Sequence, residues 1–177
     1  MQGSSYSWDA EFTALFDRCV AQYRGGNHDF TRYYSADDSS FLAGIGCQPR
    51  EFFDFVEDHC DGGEPTPGTA LLVAAARRDY FLTIQHGQKR ATVLQPDDLP
   101  PKPDASLGGI PWLSRILAKA RAKLRGELHP DIMYGCGGDR KFLEEHGVHA
   151  ADFLRAVWGA GDDDRNVLEW LKAQSPS

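Results

Sequence analysis

With 177 residues, a net charge of -7 and 41% hydrophobic content, the chain reads as a soluble globular protein and not a disordered one. It is long enough to bury one sizeable core. An isoelectric point of about 5.3 argues against nucleic acid as the main partner. No apolar run approaches membrane-spanning length, and Met1-Gln2-Gly3-Ser4-Ser5 has no signal-peptide character, so the expectation is a cytoplasmic protein with no membrane partner. Cys19, Cys47, Cys60 and Cys136 are scattered with no zinc spacing, which predicts free thiols and no metal site.

In chain order, apolar residues at Trp8, Phe12, Leu15, Phe16, Cys19 and Tyr23 predict a helix stopped by Gly25-Gly26. After a polar loop, Asp38 is expected to cap a short helix through Phe41-Leu42 to Gly46. Pro49 suits the first position of a helix with Phe52, Phe53 and Val56 inward. Thr66-Pro67 opens the most apolar segment, Ala70 to Ala76, which runs into Arg77-Arg78-Asp79. Tyr80 to Gln85 and Ala91 to Leu94 flank His86-Gly87-Gln88-Lys89 and predict a β-hairpin, with a longer helix to Gln85 as its rival. Four prolines between Pro96 and Pro103 predict a stiff extended connector. Pro111 then starts a helix with Trp112, Leu113, Ile116, Leu117, Ala120 and Leu124 on one side; Lys119, Arg121, Lys123 and Arg125 suit its negative end. Three more helices follow: a short one capped by Asp139 and closed at Gly147, one over Ala151 to Trp158, and one over Asp164 to Lys172.

An offset of 101 residues brings the two halves into register without gaps. Arg24-Gly25 falls on Arg125-Gly126, His28 on His129, Tyr33 on Tyr134, Asp38 on Asp139, Phe41-Leu42 on Phe142-Leu143 and Gly46 on Gly147. Phe52, Val56 and Asp61 fall on Phe153, Val157 and Asp162. Such self-similarity marks a repeated unit. The fold class expected is mainly α, a duplicated short-helix unit packed about a pseudo-twofold, with one β-hairpin and a proline-rich connector. Residues 1–95 would form the first repeat with its hairpin, 96–110 the connector and 111–177 the second repeat, the repeats sharing one core. One departure matters: Ser35-Ala36-Asp37 falls on Cys136-Gly137-Gly138, so only the second half carries the thiol at this place.

Cys136 is therefore the leading candidate. Glycines around it let its thiol and the neighbouring N–H groups be approached closely, and a thiol before a helix start feels the positive dipole end, which favours thiolate. Cys136 would act as nucleophile or redox group, Gly137 and Gly138 amides would hold an oxyanion, His129 would move the proton and Tyr134 could donate one. The alternative is that Cys136 is a packing residue. Arg77 and Arg78 form a second candidate, able to clamp a carboxylate or phosphate, or else to sit as structural charges at a helix end. Glu57, Asp58, His59 and Cys60 lie on one helix end, where adjacent side chains diverge, and read as a solvated end. No GxGxxG, Walker A or HExxH pattern is present, and the sequence names no cofactor.

Leu107-Gly108-Gly109, the run Lys119 to Leu124, Cys136-x-x-Asp139, Phe142-Leu143 and Phe153-Leu154 together resemble the bacterial family catalogued as domain of unknown function 5069. The resemblance is close over about the last seventy residues and loose, through the repeat, over the front half. It implies a small cytosolic helical protein and a cysteine and an aspartate at the positions of Cys136 and Asp139. The family more often has Pro-Leu between them than Gly137-Gly138, which leaves this loop barer. It implies no activity. The function expected from the residues is a small-molecule site, for an anionic ligand, at the interface of the repeats, in a protein that would be a thiol-dependent enzyme using Cys136; the competing class is a non-enzymatic ligand- or protein-binding module in which Cys136 is a packing residue. Oligomeric state stays open.

Overall fold

The structure is a computed structural model that describes residues 6–102 and 106–174. Met1 to Ser5, and Pro103 of the expected connector, lie outside the described residues. Among the described residues eight α-helices follow one another: α1 (Trp8–Arg24), α2 (Ala36–Gly44), α3 (Pro49–Gly62), α4 (Pro67–Thr83), α5 (Leu113–Arg125), α6 (Gly137–Glu145), α7 (Ala150–Ala160) and α8 (Asp164–Gln174). The mainly α expectation holds. The chain divides into two compact units, Met1–Gly87 and Gln88–Ser177.

In the first unit the predicted stripe of α1 is buried, with Phe12, Leu15, Phe16, Cys19 and Tyr23 all inward. It packs on α3, where the Phe52 ring meets Phe12 at 5.0 Å and Phe16 at 5.8 Å edge-on. Edge-to-face rings complement each other's quadrupoles as well as excluding water. Burial pushes the Cys19 thiol up to about 12, so this cysteine is a core hydrophobe. The start of α2 differs from expectation. Ser35, not Asp38, is the N-cap; its Oγ accepts from Asp38 N, and the Asp38 carboxylate accepts from Ser35 N, a reciprocal box. Asp38 also pairs with Arg18 of α1.

The β-hairpin expected over 80–94 is not there. Among the described residues there is no sheet, only isolated bridges at Leu94–Leu128 and Leu107–Ile110. Tyr80 to Thr83 continue α4, because the buried face Ala70, Val73, Ala74, Arg77 and Phe81 keeps helical spacing through the β-rich residues. Phe81 is 3% exposed and seats the Arg77 guanidinium over its ring at 5.0 Å. The chain then leaves the helix through His86 and Gly87, both at positive φ, with Gly87 N donating to Phe81 O. Leu94, the end of the expected second strand, donates instead to Glu127 O after α5. The proline segment is not uniformly extended either. Pro96–Asp98 is a 3-10 turn, and Pro100 O accepts from Arg115 Nη1 on α5.

In the second unit α5 packs against α7, and α7 against α8. Leu113, Ile116, Leu117, Ala120 and Leu124 are buried from α5, Phe153, Leu154 and Val157 from α7, and Val167 and Leu171 from α8. The basic residues of α5 are not simply helix-end charges. Arg121 reaches Asp164, Arg125 reaches Asp162, and Lys119 and Lys123 are buried.

Gly46 closes α2 at φ +70, and an added Cβ would stand 2.7 Å from Phe81 Cγ; Gly63 closes α3 at φ +80 with open space around it. Gly63→Ala is expected to cost about 1 kcal/mol of left-handed strain. Gly46→Ala should cost that and about 1–3 kcal/mol more for the overlap. Urea midpoints of the two variants measure the difference; equal losses would mean that Phe81 does not pack there.

Candidate functional site: the Cys136 loop

Gly135, at φ +84, turns the chain, Cys136 follows in extended backbone, and α6 begins at Gly137. The first helical bond runs from Arg140 N to Cys136 O, so Cys136 is the N-cap and Asp139 the third helical residue, not the cap expected of it. Cys136 makes no side-chain cap, in contrast to Ser35. The amides of Gly137 and Gly138 precede that first helical bond, and both glycines are exposed residues.

Asp139 is fully buried, and its carboxylate accepts four hydrogen bonds. Oδ1 accepts from Trp112 Nε1 at 2.9 Å and Lys119 Nζ at 3.2 Å; Oδ2 accepts from Gly135 N at 3.0 Å and Lys119 Nζ at 3.0 Å. Lys119 projects from α5 with its side chain 5% exposed, and the same ammonium reaches Cys136 Sγ at 3.2 Å. A buried ion pair survives only when attraction and hydrogen bonding make up for lost hydration. Here the carboxylate is held on both oxygens, and the ammonium has the carboxylate and the sulfur. Cys136 as a residue is half-buried, whereas Lys119 and Asp139 are buried.

Two further contacts fix the loop. Arg140 Nη1 donates to Gly135 O at 2.7 Å. The Trp112 indole, on a residue at φ +70, lies against Gly138, where an added Cβ would come within 2.7 Å of Cζ2. A bulky residue rarely takes that backbone conformation without compensation, and the indole N–H on Asp139 supplies some. Gly137 is different: the nearest atom to a Cβ there is Arg140 Nη2, at 3.9 Å.

The other expected site residues lie elsewhere. His129 Nδ1 accepts from Asp131 N and lies 3.6 Å from the Asp131 carboxylate, closing its own loop. Tyr134 is 1% exposed and donates to Ala150 O at 2.7 Å; burial, and then the Asp139 charge, hold its phenol well above the usual range. Neither is hydrogen-bonded to Cys136. Arg77 and Arg78 belong to the first unit. Arg77 is buried, donating to Gly46 O at 3.0 Å and to Gln85 Oε1 at 2.7 Å; Arg78 stacks over the Trp8 ring at 5.0 Å. Of the expected set, the structure brings together Cys136, Gly137 and Gly138. It adds Lys119, Trp112 and Asp139, of which sequence reasoning had treated Lys119 as a helix-end charge. The signal was there in outline: a lysine next to the apolar stripe, and an aspartate repeated in both halves.

Lys119→Met leaves a buried carboxylate short of its cation and is expected to lower stability by about 3–5 kcal/mol. Adding Asp139→Asn removes the stranded charge and should recover at least about 1 kcal/mol, read from denaturant midpoints of the full chain. Gly138→Ala should cost about 1–3 kcal/mol against the indole. Gly137→Ala should be neutral or stabilising by up to about 1 kcal/mol. A Gly137→Ala loss as large as that of Gly138→Ala would contradict this packing.

No curated protein and no solved structure matches the chain. Its C-terminal part, residues 98–177, which takes in α5 to α8 and the whole Cys136–Lys119–Asp139 network, matches the model of the family described as domain of unknown function (DUF5069).

Proposed function

We propose that the unit spanning 88–177 handles a small, electrophilic, anionic molecule at the start of α6, with Cys136 as its thiol nucleophile. The observation that carries this reading is the 3.2 Å contact between the half-buried Cys136 sulfur and the Lys119 ammonium. A cation beside a solvent-reachable sulfur is the setting in which thiols react. The Gly137 and Gly138 amides, at the positive end of α6, would receive the negative oxygen of the reacting molecule. Lys119 orients the sulfur and is itself oriented by Asp139. His129 and Tyr134 have no part in this version of the site, because their polar atoms serve their own loops.

The second reading is a non-enzymatic binding module in which the network only anchors α6, and one observation favours it. Arg18 and Asp38 of the first unit, at the offset of 101 from Lys119 and Asp139, also make an ion pair, at an exposed place and with Ser35 where the second unit has Cys136. The same offset supports an origin by duplication. It takes the bounds of α2 onto those of α6, the end of α1 onto that of α5, and the start of α3 onto that of α7.

Iodoacetamide labelling of the native chain, followed by peptide mapping, separates the two readings. Cys136 is expected to react first, well ahead of buried Cys19 and Cys47, and iodoacetate should approach iodoacetamide in rate at Cys136 alone. Labelling of Cys136 only on unfolding would sink the nucleophile and leave the binding module.

A further inference from the structure

We propose that Cys136 and Lys119 are a modification site, a cysteine–lysine pair that peroxide converts into a covalent sulfur–nitrogen crosslink. The inference rests on the same contact of half-buried Cys136 with Lys119 as the nucleophile reading but needs no substrate. Nζ stands 3.2 Å from Sγ, and both oxygens of Asp139 hold the same ammonium in place. The amine therefore adjoins any oxidised sulfur before it can diffuse to a second thiol.

The first unit shows that this pair is not required for the structural task. At the offset of 101 residues, Ser35 stands for Cys136 and Arg18 for Lys119. Ser35 caps its helix by accepting from Asp38 N, and Arg18 makes the ion pair. Cys136 forgoes the cap, and Lys119 replaces a guanidinium that stays protonated with an amine that can become a nucleophile. Both changes run towards the same chemistry: an oxidisable atom and a condensable one, side by side.

The steps balance. Hydrogen peroxide oxidises the Cys136 thiol by two electrons; the O–O bond breaks, one oxygen stays on sulfur as sulfenate, the other leaves as water, and the thiol proton goes to solvent. Lys119 then gives one proton to the sulfenate oxygen, and the neutral amine attacks sulfur. The N–S bond forms, the S–O bond breaks, and the departing hydroxide takes a second proton from nitrogen to leave as water. The product is a neutral sulfenamide. External thiols reverse it by attacking sulfur, releasing the amine and then the cysteine through a mixed disulfide. Crosslinking also removes the positive charge beside Asp139, whose donors are then Trp112 Nε1, Gly135 N and at most the one N–H left on the sulfenamide. Oxidation thereby weakens the hold on the start of α6.

The test uses the full chain treated with hydrogen peroxide, intact mass, and peptide mapping. The expected product is lighter than the reduced chain by two hydrogens, joins the Lys119 and Cys136 peptides, resists trypsin at Lys119 and reverts with dithiothreitol. Mapping is needed because a disulfide gives the same mass change. Lys119→Arg keeps the ion pair but cannot condense, so there the sulfenic acid should persist and be trapped by dimedone. Oxidation of wild-type Cys136 to oxygenated forms only, with Lys119 still cleaved by trypsin, would overturn the proposal, as would a Cys136 that peroxide leaves untouched. The two readings fail separately: alkylation without a crosslink removes this proposal alone, and a crosslink without alkylation removes the nucleophile alone.

Discussion

The second unit depends on one buried carboxylate. Asp139 has no contact with water, and a bare ionised group in that position would cost more than a small domain can spare. Everything around it follows from that constraint. Lys119 must come from α5 with its ammonium inward, Gly135 must turn so that its N–H points at the oxygens, and Trp112 must take a left-handed conformation to bring its indole N–H within reach. Gly138 must lack a side chain because that indole occupies the space. The thiol of Cys136, a half-buried residue, is then the other polar neighbour of Lys119.

The two helix starts at Ser35 and Cys136 differ in the groups around their ion pairs. In the first unit the ion pair and the cap are made by Arg18, Asp38 and Ser35, and the result is an ordinary helix start. Burial works against the charge of Asp38, but the Ser35 N–H and the Arg18 guanidinium hold its carboxyl below the usual range, as expected of a carboxylate serving structure. In the second unit the helix start is left without a side-chain cap, the two residues after the thiol are glycines, and the cation is a lysine. Each difference gives up a little local stability at the place proposed as the site. Functional sites commonly relax local rules in this way.

The helices on apolar stripes were legible in the sequence. Those of α1, α3, α5, α7 and α8 follow from spacing, because a side chain's face on a helix is fixed by its position along the chain. The end of α4 was not. Tyr80-Phe81-Leu82-Thr83-Ile84 has β-forming composition, and only the packing of Phe81 beside Gly46 and Arg77 keeps it helical. The helix starts at Ser35 and Cys136 were misplaced by three residues for a related reason. Aspartate is at home both as a cap and at the third helical position, and the choice rests on which backbone N–H it reaches.

For the site, the sequence by itself determined that Cys136 sits among glycines at a helix start and has no counterpart thiol in the first half. Composition and local spacing carry that much, since both are properties of neighbours along the chain. Only tertiary structure decided which cation meets the sulfur. Lys119 and Asp139 are twenty residues apart, and nothing in a linear pattern distinguishes a lysine that turns inward to a buried carboxylate from one that ends a helix in solvent. His129, Tyr134, Arg77 and Arg78 show the converse. Their chemistry suggested a site, and the fold engages them in closing loops, bonding carbonyls and stacking on rings, because polar atoms near a core are drawn to whatever partners the backbone places within reach.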